Sequence, residues 1–282
     1  MLAGIVAAIA FAAPAVAAPA NVTVRIEGES ATLLPRTAVT TDTAPVFVAG
    51  DDACSGTSAG GALAKATGGQ VSGTWSFDYL VKTIKGETHD DPFPADPAKY
   101  WSFWVNYEYQ NQGLCATELQ AGDDVLMFVD CYSAENACVS PTPLRIAGVP
   151  ATTAPGRPIT VRMEEFVVEY DENFVGTTKV QPAAGVTLRA GGRTATTGAD
   201  GTAQLAFPSA GPVSIAASKP GHVRTAAVTC VTNGADGSCG SKLPPGVVVG
   251  SDPPPDSTAP TAGFSSALPE ARCSPAARRR AS

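Results

Sequence analysis

Histidine is almost absent from this sequence: only His89 and His222 occur in 282 residues. Histidine is the usual base beside a serine or cysteine nucleophile and a frequent zinc ligand. Neither histidine lies in a recognisable nucleophile motif, and the cysteines show no C-x-x-C spacing. The sequence therefore predicts neither a metal site nor an enzyme.

Acidic pairs keep one catalytic alternative open. Two carboxylates can carry out glycoside hydrolysis, and Asp90 with Asp91, or Asp123 with Asp124, would form such pairs. Adjacent side chains on a strand point to opposite faces, and aspartates in turns usually accept hydrogen bonds from backbone N–H groups. A hydrolase of unknown type is therefore the remotest alternative.

Charge is also scarce, since Asp, Glu, Lys and Arg make up 16% of the chain against 44% hydrophobic residues. This composition excludes a disordered acidic chain and suffices for a packed core. The 19 basic residues are outnumbered by 26 acidic residues, so the net charge is −7. A negative chain repels phosphate, and we expect no nucleic acid partner.

The first 20 residues carry no charge at all. Leu2 to Ala13 is an alanine-rich apolar run, Pro14 interrupts it, and Ala15-Val16-Ala17 offers the small-x-small pattern that signal peptidase recognises. The pattern predicts a signal peptide over 1–20, a secreted, extracellular chain and no membrane span after cleavage. The alternative is a membrane anchor, because the run approaches the ~18 residues that a span needs.

Seven cysteines agree with export, because disulfides persist in oxidising compartments. Cys131 and Cys138 bracket six residues, and Cys230 and Cys239 bracket eight, which are short loops that favour local disulfides. This leaves Cys54 to pair with Cys115, and Cys273 without a partner. Six cysteines allow 15 connectivities, so the pairing stays a prediction.

Composition divides the remaining chain into three parts. Residues 21–146 hold 7 basic and 16 acidic residues and all three tryptophans, whereas residues 147–240 hold 7 of each sign. Residues 241–282 contain eight prolines. With roughly 100–200 residues per domain, we predict a mainly β protein: an α+β first domain with one short helix, an antiparallel β-sandwich and a disordered proline-rich tail.

An aromatic strand stands out in the first domain. With a period of two, Trp101, Phe103 and Val105 share the face that fills a core, and Tyr100 and Trp104 share the other. That second face either packs under the helix Ala62–Ala66 or the loop Pro92–Pro97, or forms a partly exposed platform. Under the platform hypothesis the ligand-binding residues are as follows: Tyr100, Trp104, Asn106 and Glu108.

Several motifs of the first domain occur in a characteristic order. The strand Val22–Ile26 and the helix Ala62–Ala66 precede Tyr-Trp-x-x-x-Val-Asn at 100–106 and Gly122-Asp123. This order resembles the C-terminal β-domain of transcobalamin-like proteins, which also occurs in exported bacterial proteins of unknown role. The resemblance implies capture of a small ligand such as a corrinoid. In transcobalamins a helical barrel supplies most of the corrinoid site, and this chain has no such domain, so we expect no resident cofactor.

The second domain carries Gly-Val-Thr-Leu at 185–188 and Thr-Thr-Gly-Ala-Asp-Gly-Thr-Ala at 196–203. These segments resemble the carboxypeptidase-regulatory-like, immunoglobulin-like modules of exported proteins, which are usually spacers or adhesive units. Together the observations predict an exported, non-catalytic, modular protein that binds an extracellular ligand or surface partner as a monomer. Capture of a small ligand such as a corrinoid is the alternative.

Overall fold

The computed structural model describes residues 18–91, 95–172, 175–233, 239 and 247–252. Strands dominate these residues, and the prediction of a mainly β protein with one short helix is confirmed. We call residues 20–132 the first module and residues 142–233 the second module. Residues 1–17 of the predicted signal peptide, Cys273 and most of the tail lie outside the described residues.

The first module contains ten strands and a helix among its described residues. In chain order they are β1 (Asn21–Glu27), β2 (Thr32–Thr40), β3 (Val46–Ala49), β4 (Asp52–Cys54), α1 (Ala59–Ala66), β5 (Val71–Trp75), β6 (Tyr79–Ile84), β7 (Glu87–Thr88), β8 (Ala98–Val105), β9 (Glu108–Tyr109) and β10 (Asp124–Tyr132). Five of them form the main sheet in the order β2-β1-β10-β8-β9, and β3-β4 and β5-β6-β7 form two small sheets.

The centre of the main sheet is the apolar strand β10, which pairs parallel to β1 and antiparallel to β8. Its residues 125–128 are buried, as expected for a run that is apolar on both faces. One face packs against α1 and forms the first core, which includes Ile26, Leu63, Val105 and Met127.

The sequence predicts a short helical run over 58–67 with Ser58 as its candidate cap, and helix α1 begins directly after Ser58. Ser58 is its N-cap, and the Ser58 hydroxyl accepts a hydrogen bond from the Gly61 N–H. Gly61 allows the helix to lie close to the preceding loop, because a Cβ at this position would fall 2.5 Å from the Ser55 carbonyl oxygen.

The second module is a sandwich of two sheets. Its strands are β11 (Thr142–Ala147), β12 (Thr152–Thr153), β13 (Ile159–Tyr170), β14 (Gly176–Pro182), β15 (Thr187–Ala190), β16 (Arg193–Thr196), β17 (Thr202–Leu205), β18 (Gly211–Ser218), β19 (His222–Val223) and β20 (Thr225–Val231). The sheets run β14-β13-β11-β19, with β17 also on β13, and β12-β20-β18-β15-β16. All pairs are antiparallel except two short ladders, β11-β19 and β12-β20.

The boundary between the modules lies earlier than composition indicated. Strand β11 pairs with β13, so its residues belong to the second module and not to a first domain that ends at Ile146. Leu144 and Ile146 are buried in the core between the two sheets of the sandwich. The numbers of charged and aromatic residues along the sequence do not reveal this pairing.

A short C-terminal segment, residues 247–252, also differs from the expected disordered tail. We call it the strap. It forms isolated bridges from Val247 to Thr37 of the first module and from Gly250 to Val228 of the second, and Asp252 is buried. The proline content of the whole tail concealed the run Val247-Val248-Val249, which is suited to strand pairing.

Three cysteine pairs lie at disulfide distance, as the spacing predicts. The Cα–Cα separations are 4.6 Å for Cys54–Cys115, 6.3 Å for Cys131–Cys138 and 5.6 Å for Cys230–Cys239. Cys54 is the last residue of β4, and Cys115 lies in the loop before β10. This bridge therefore joins the segment before α1 to that loop. Among the described residues, the only helix is far too short to cross a membrane.

Candidate functional site

Strand β8 is covered on both faces. Trp101 and Val105 belong to the first core, as the alternation predicts. On the other face, Trp104 is 3% exposed and clusters with Phe166 and Val223 of the second module. The second module therefore covers the face that was expected to lie under the helix or a loop, or to be exposed. Trp104 is not part of an exposed platform.

The other three predicted site residues do not converge. Tyr100 is exposed near the start of β8, whereas Asn106 lies in the turn after it with a positive φ of 52°. The Asn106 side chain donates to Asp123 Oδ1 at 2.7 Å and accepts from the Asp124 N–H at 2.9 Å, which is a structural role. Glu108 is half-buried, and this burial raises the pKa of its carboxyl. A ligand role for these four residues remains a prediction.

The structure instead shows a groove of about 710 Å³ between β6 and the start of β8. We call it the apolar groove and define it by the residues Phe77, Leu80, Tyr100, Trp101 and Tyr132. All except Trp101 are exposed, and Phe77 is exposed by 86%. Large apolar side chains that remain in water around one concave surface are typical of a binding site.

The floor of the apolar groove holds one polar group without a partner. Tyr79 is buried, and its hydroxyl has no hydrogen-bond partner among the described residues. Burial raises the pKa of Tyr79 to about 12, so the phenol keeps its proton at neutral pH. A buried Tyr O–H normally finds an acceptor, and a ligand in the groove would be the available source.

The rim of the groove is polar, and most of its polar groups have a hydrogen-bond or ion-pair partner. Trp101 Nε1 donates to the Lys82 carbonyl at 3.1 Å, and the edge of the His89 ring meets Trp101 with the ring centroids 5.3 Å apart. Lys82 Nζ lies 3.6 Å from Asp90 Oδ2. Asp91 accepts a hydrogen bond from the Lys99 N–H, so both members of this acidic pair have structural partners.

The hairpin that carries Phe77 is fixed by Asp78. Its carboxylate accepts hydrogen bonds from the backbone N–H groups of Tyr79, Cys115 and Ala116 at 2.6, 3.0 and 3.2 Å. An apolar residue at the tip of a hairpin gains no burial there. This position of Phe77 was the sequence signal that could have indicated the groove.

One catalytic pattern was overlooked in the sequence, because residues 56–60 read Gly-Thr-Ser-Ala-Gly and fit the G-x-S-x-G motif of hydrolases. Ser58 is fully buried and donates its hydroxyl to the Ser55 carbonyl at 2.6 Å while it caps α1. The two histidines contact other partners, His89 with Glu87 and His222 with Glu165, each at 2.8 Å. The geometry thus gives Ser58 a capping role.

The second acidic pair is also structural. Asp123 accepts from the Gln120 N–H at 2.7 Å, and Asp124 accepts from Arg36 at 3.0 Å. Within the ranges that the structure describes, no group of three or more His, Cys, Asp or Glu side chains is arranged to hold a metal ion.

Comparison with known proteins assigns no family to this chain. No protein-family model and no curated protein matches the chain. A solved structure of a putative metal binding protein from Ruminococcus gnavus ATCC 29149 is 19% identical, covering 39% of this chain and 96% of that chain with a TM-score of 0.28. The resemblances to transcobalamin-like and carboxypeptidase-regulatory-like domains therefore remain predictions.

Proposed function

We propose that this protein is an exported, non-catalytic binding protein whose first module captures an apolar ligand in the apolar groove. The observation that carries the proposal is the exposure of Phe77, Leu80, Tyr100 and Tyr132 around one cavity. Three cysteine pairs at disulfide distance support an oxidising, extracellular setting. The second module supports the first by covering the outer face of its sheet.

The groove favours a neutral ligand with a large apolar part and a hydrogen-bond acceptor. The Tyr79 hydroxyl is the donor available to that acceptor. Asp90 and Asp91 lie at the rim with only Lys82 and His89 as basic neighbours, and residues 21–146 carry 16 acidic against 7 basic residues. This excess of negative charge disfavours anionic ligands.

A matched pair of phenylalanines tests the proposal. Phe77 and Phe47 are both exposed in the first module, by 86% and 68%, but only Phe77 lines the groove. The full chain is titrated with the neutral apolar fluorophore N-phenyl-1-naphthylamine. We expect saturable binding that Phe77→Ser weakens by roughly tenfold, the effect of losing one large apolar contact, while Phe47→Ser leaves it unchanged.

Equal affinity for the probe in wild type and in Phe77→Ser would contradict the proposal. Melting temperatures of the two variants should be alike, since both substitutions remove exposed rings. In a parallel titration, a shift in the visible spectrum of hydroxocobalamin that is lost in Phe77→Ser would identify corrinoid capture at the same groove.

A further inference from the structure

A second cavity lies between the two modules, on the face of β8 opposite the first core. It has a volume of about 210 Å³. Trp104, Tyr109 and Asp130 line it from the first module, and Phe166 and Tyr170 line it from the second. We call it the inter-module cavity. It shares none of its lining residues with the apolar groove.

Three aromatic residues border this cavity, and the ring of Tyr109 stands nearly at right angles to the other two. Trp104 and Tyr109 have centroids 6.0 Å apart with an interplanar angle of 79°, and Tyr109 and Tyr170 are 6.2 Å apart at 78°. Tyr170 is 58% exposed, so the cavity is reached from solvent along this ring. Aromatic rings that border one small space can bind an alkylammonium group, because the face of each ring is negative.

The cavity also contains a buried carboxylate. Asp130 is 7% exposed on β10, and its Oδ1 accepts the Cys131 N–H at 2.7 Å. The other groups that hydrogen-bond to it are the hydroxyls of Tyr100, Ser102 and Ser140, all neutral. Within the described part of the chain, none of the ion pairs includes Asp130.

A buried carboxylate without a cation is unusual, because removing an ionised group from water is expensive unless an opposite charge accompanies it. The cavity therefore lacks the positive group that its charge and its rings would both stabilise. Trp104 adds a hydrogen-bond donor, since its Nε1 is buried without a partner among the described residues. A ligand with an acceptor beside its cationic centre would satisfy all three features.

We propose that the inter-module cavity binds a small alkylammonium cation that carries a hydroxyl group, such as choline. The rings of Trp104, Tyr109 and Tyr170 would surround the ammonium head and Asp130 would neutralise it. The site shares no lining residue with the apolar groove, although the Tyr100 hydroxyl hydrogen-bonds to Asp130, and the proposal does not rest on the function assigned to that groove.

The test uses choline and its neutral isostere 3,3-dimethylbutan-1-ol, which has the same shape without the charge. Calorimetric titration of the full chain should give saturable binding of choline and binding of the isostere that is weaker by roughly tenfold or more, as expected for a desolvated cation–π contact. Isostere binding as tight as that of choline, or no saturable choline binding to the folded chain, would overturn the proposal.

Variants then locate the site. Asp130→Asn removes the charge at constant shape, and Tyr170→Leu removes an exposed ring, so the fold should persist in both. Each should weaken choline binding by about tenfold, whereas Phe47→Leu, at an exposed ring far from the cavity, should not. Wild-type affinity in Asp130→Asn or Tyr170→Leu would contradict the assignment.

A pH profile separates an ionic role of Asp130 from a merely structural one. Burial raises the pKa of Asp130, and the hydroxyls of Tyr100, Ser102 and Ser140 hydrogen-bond to it, whereas Lys99, His222 and Arg224 border a neighbouring pocket that Asp130 also lines. Choline affinity should therefore fall as the pH is lowered through the pKa of Asp130, and Asp130→Asn should abolish this dependence. A profile that is the same in both proteins would overturn the ionic role.

The same experiment also distinguishes free choline from the choline headgroup of a lipid. The cavity is small and bears a carboxylate, so free choline should bind more tightly than phosphocholine, whose phosphate is repelled by Asp130. Cosedimentation with phosphatidylcholine vesicles that is lost in Asp130→Asn would instead identify the lipid headgroup as the source.

Discussion

Trp104 fills the junction between the two modules. Its ring lies 6.3 Å from that of Phe128 in its own module and clusters with Phe166 of the other. A residue that packs against both modules contributes to the stability of each and to their attachment. Substitution at this site should therefore destabilise both modules.

We expect Trp104→Ala to lower the free energy of unfolding by about 3–5 kcal/mol, the usual effect of removing a buried tryptophan ring. Urea denaturation followed by circular dichroism measures it. Trp75, which is exposed and belongs to neither core, provides the control: Trp75→Ala should change stability by no more than about 0.5 kcal/mol. Equal effects of the two substitutions would show that the junction contributes little.

Asp130 should reduce stability when no cation is bound. Because burial raises its folded pKa above the unfolded value, the folded chain binds more protons than the unfolded chain between the two pKa values. Its contribution to the free energy of unfolding therefore decreases as pH rises through that window. At pH 7, Asp130→Asn should melt at a higher temperature than wild type, and the difference should vanish in acid.

Saturating choline is expected to reverse this order at pH 7, since it stabilises only the chain that binds it. If Asp130→Asn melted below wild type at pH 7 without ligand, the carboxylate would have to be stabilising through its hydrogen bonds to Tyr100, Ser102 and Ser140.

At the scale of the elements, the strap is anchored by hydrogen bonds to its last residue, Asp252. Asp252 Oδ2 accepts hydrogen bonds from the Tyr107 hydroxyl at 2.7 Å, the Ile146 N–H at 3.1 Å and the Thr225 hydroxyl at 3.2 Å. Buried Arg25 donates to both Tyr107 and Thr225. The strap thus completes a polar network in which both modules take part.

We predict that Asp252→Ala lowers the free energy of unfolding by about 3 kcal/mol, because it leaves Tyr107 and Thr225 without their acceptor and removes a negative charge near buried Arg25. Asp252→Asn retains one oxygen acceptor and should lose distinctly less. Chemical denaturation of the two variants tests this, and small, equal losses would mean that water replaces the carboxylate.

The disulfides differ in the length of chain that they close. Cys54–Cys115 spans 61 residues and Cys131–Cys138 spans 7, so the chain-entropy model assigns them stabilisations of about 4 and about 2 kcal/mol. Replacing both cysteines of the first pair by alanine should therefore destabilise the chain more than the same change in the second pair. The denaturation midpoints of the two variants measure this difference. The reverse order would contradict the chain-entropy model for this protein.

At the scale of the whole molecule, the interface joins the modules into one cooperative unit. Composition suggested independent domains, so that loss of Cys54–Cys115 would affect the first and spare the second. Burial of Trp104, Phe166, Arg25 and Asp252 between the modules changes this expectation.

Calorimetry should therefore show a single unfolding transition, and removal of Cys54–Cys115 should shift that transition as a whole. Agreement between the calorimetric and van't Hoff enthalpies is the criterion for one cooperative unit. Two resolved transitions, with only the first shifted in the disulfide variant, would contradict it.

Local sequence signals predicted much of this architecture. The alternation around Trp101, the cap at Ser58 and the short spacing of Cys131 and Cys138 each depend on neighbours in the chain, and the structure confirms all three. Such features are readable because period, capping and loop length are set within a few residues.

Long-range pairing was not readable in the same way. Whether Trp104 meets solvent, a helix or a second module depends on contacts with Phe166 and Val223, far along the chain. The same holds for the strap and for both cavities, which arise only when distant strands meet. Tyr100 and Trp104 were predicted to share one face of the strand, and Trp104 is buried whereas Tyr100 is exposed with its hydroxyl hydrogen-bonded to Asp130.

The first strand and the strap meet the main sheet at the same side. The Gly122 N–H donates to the Asn21 carbonyl at the start of β1, and Asp252 of the strap accepts from Tyr107, just beyond the end of β8. The apolar groove lies at the opposite side, around Tyr100, roughly 20 Å away along the strand. A fluorescent label on Asn21 would therefore lie far from the groove and leave its ligand undisturbed.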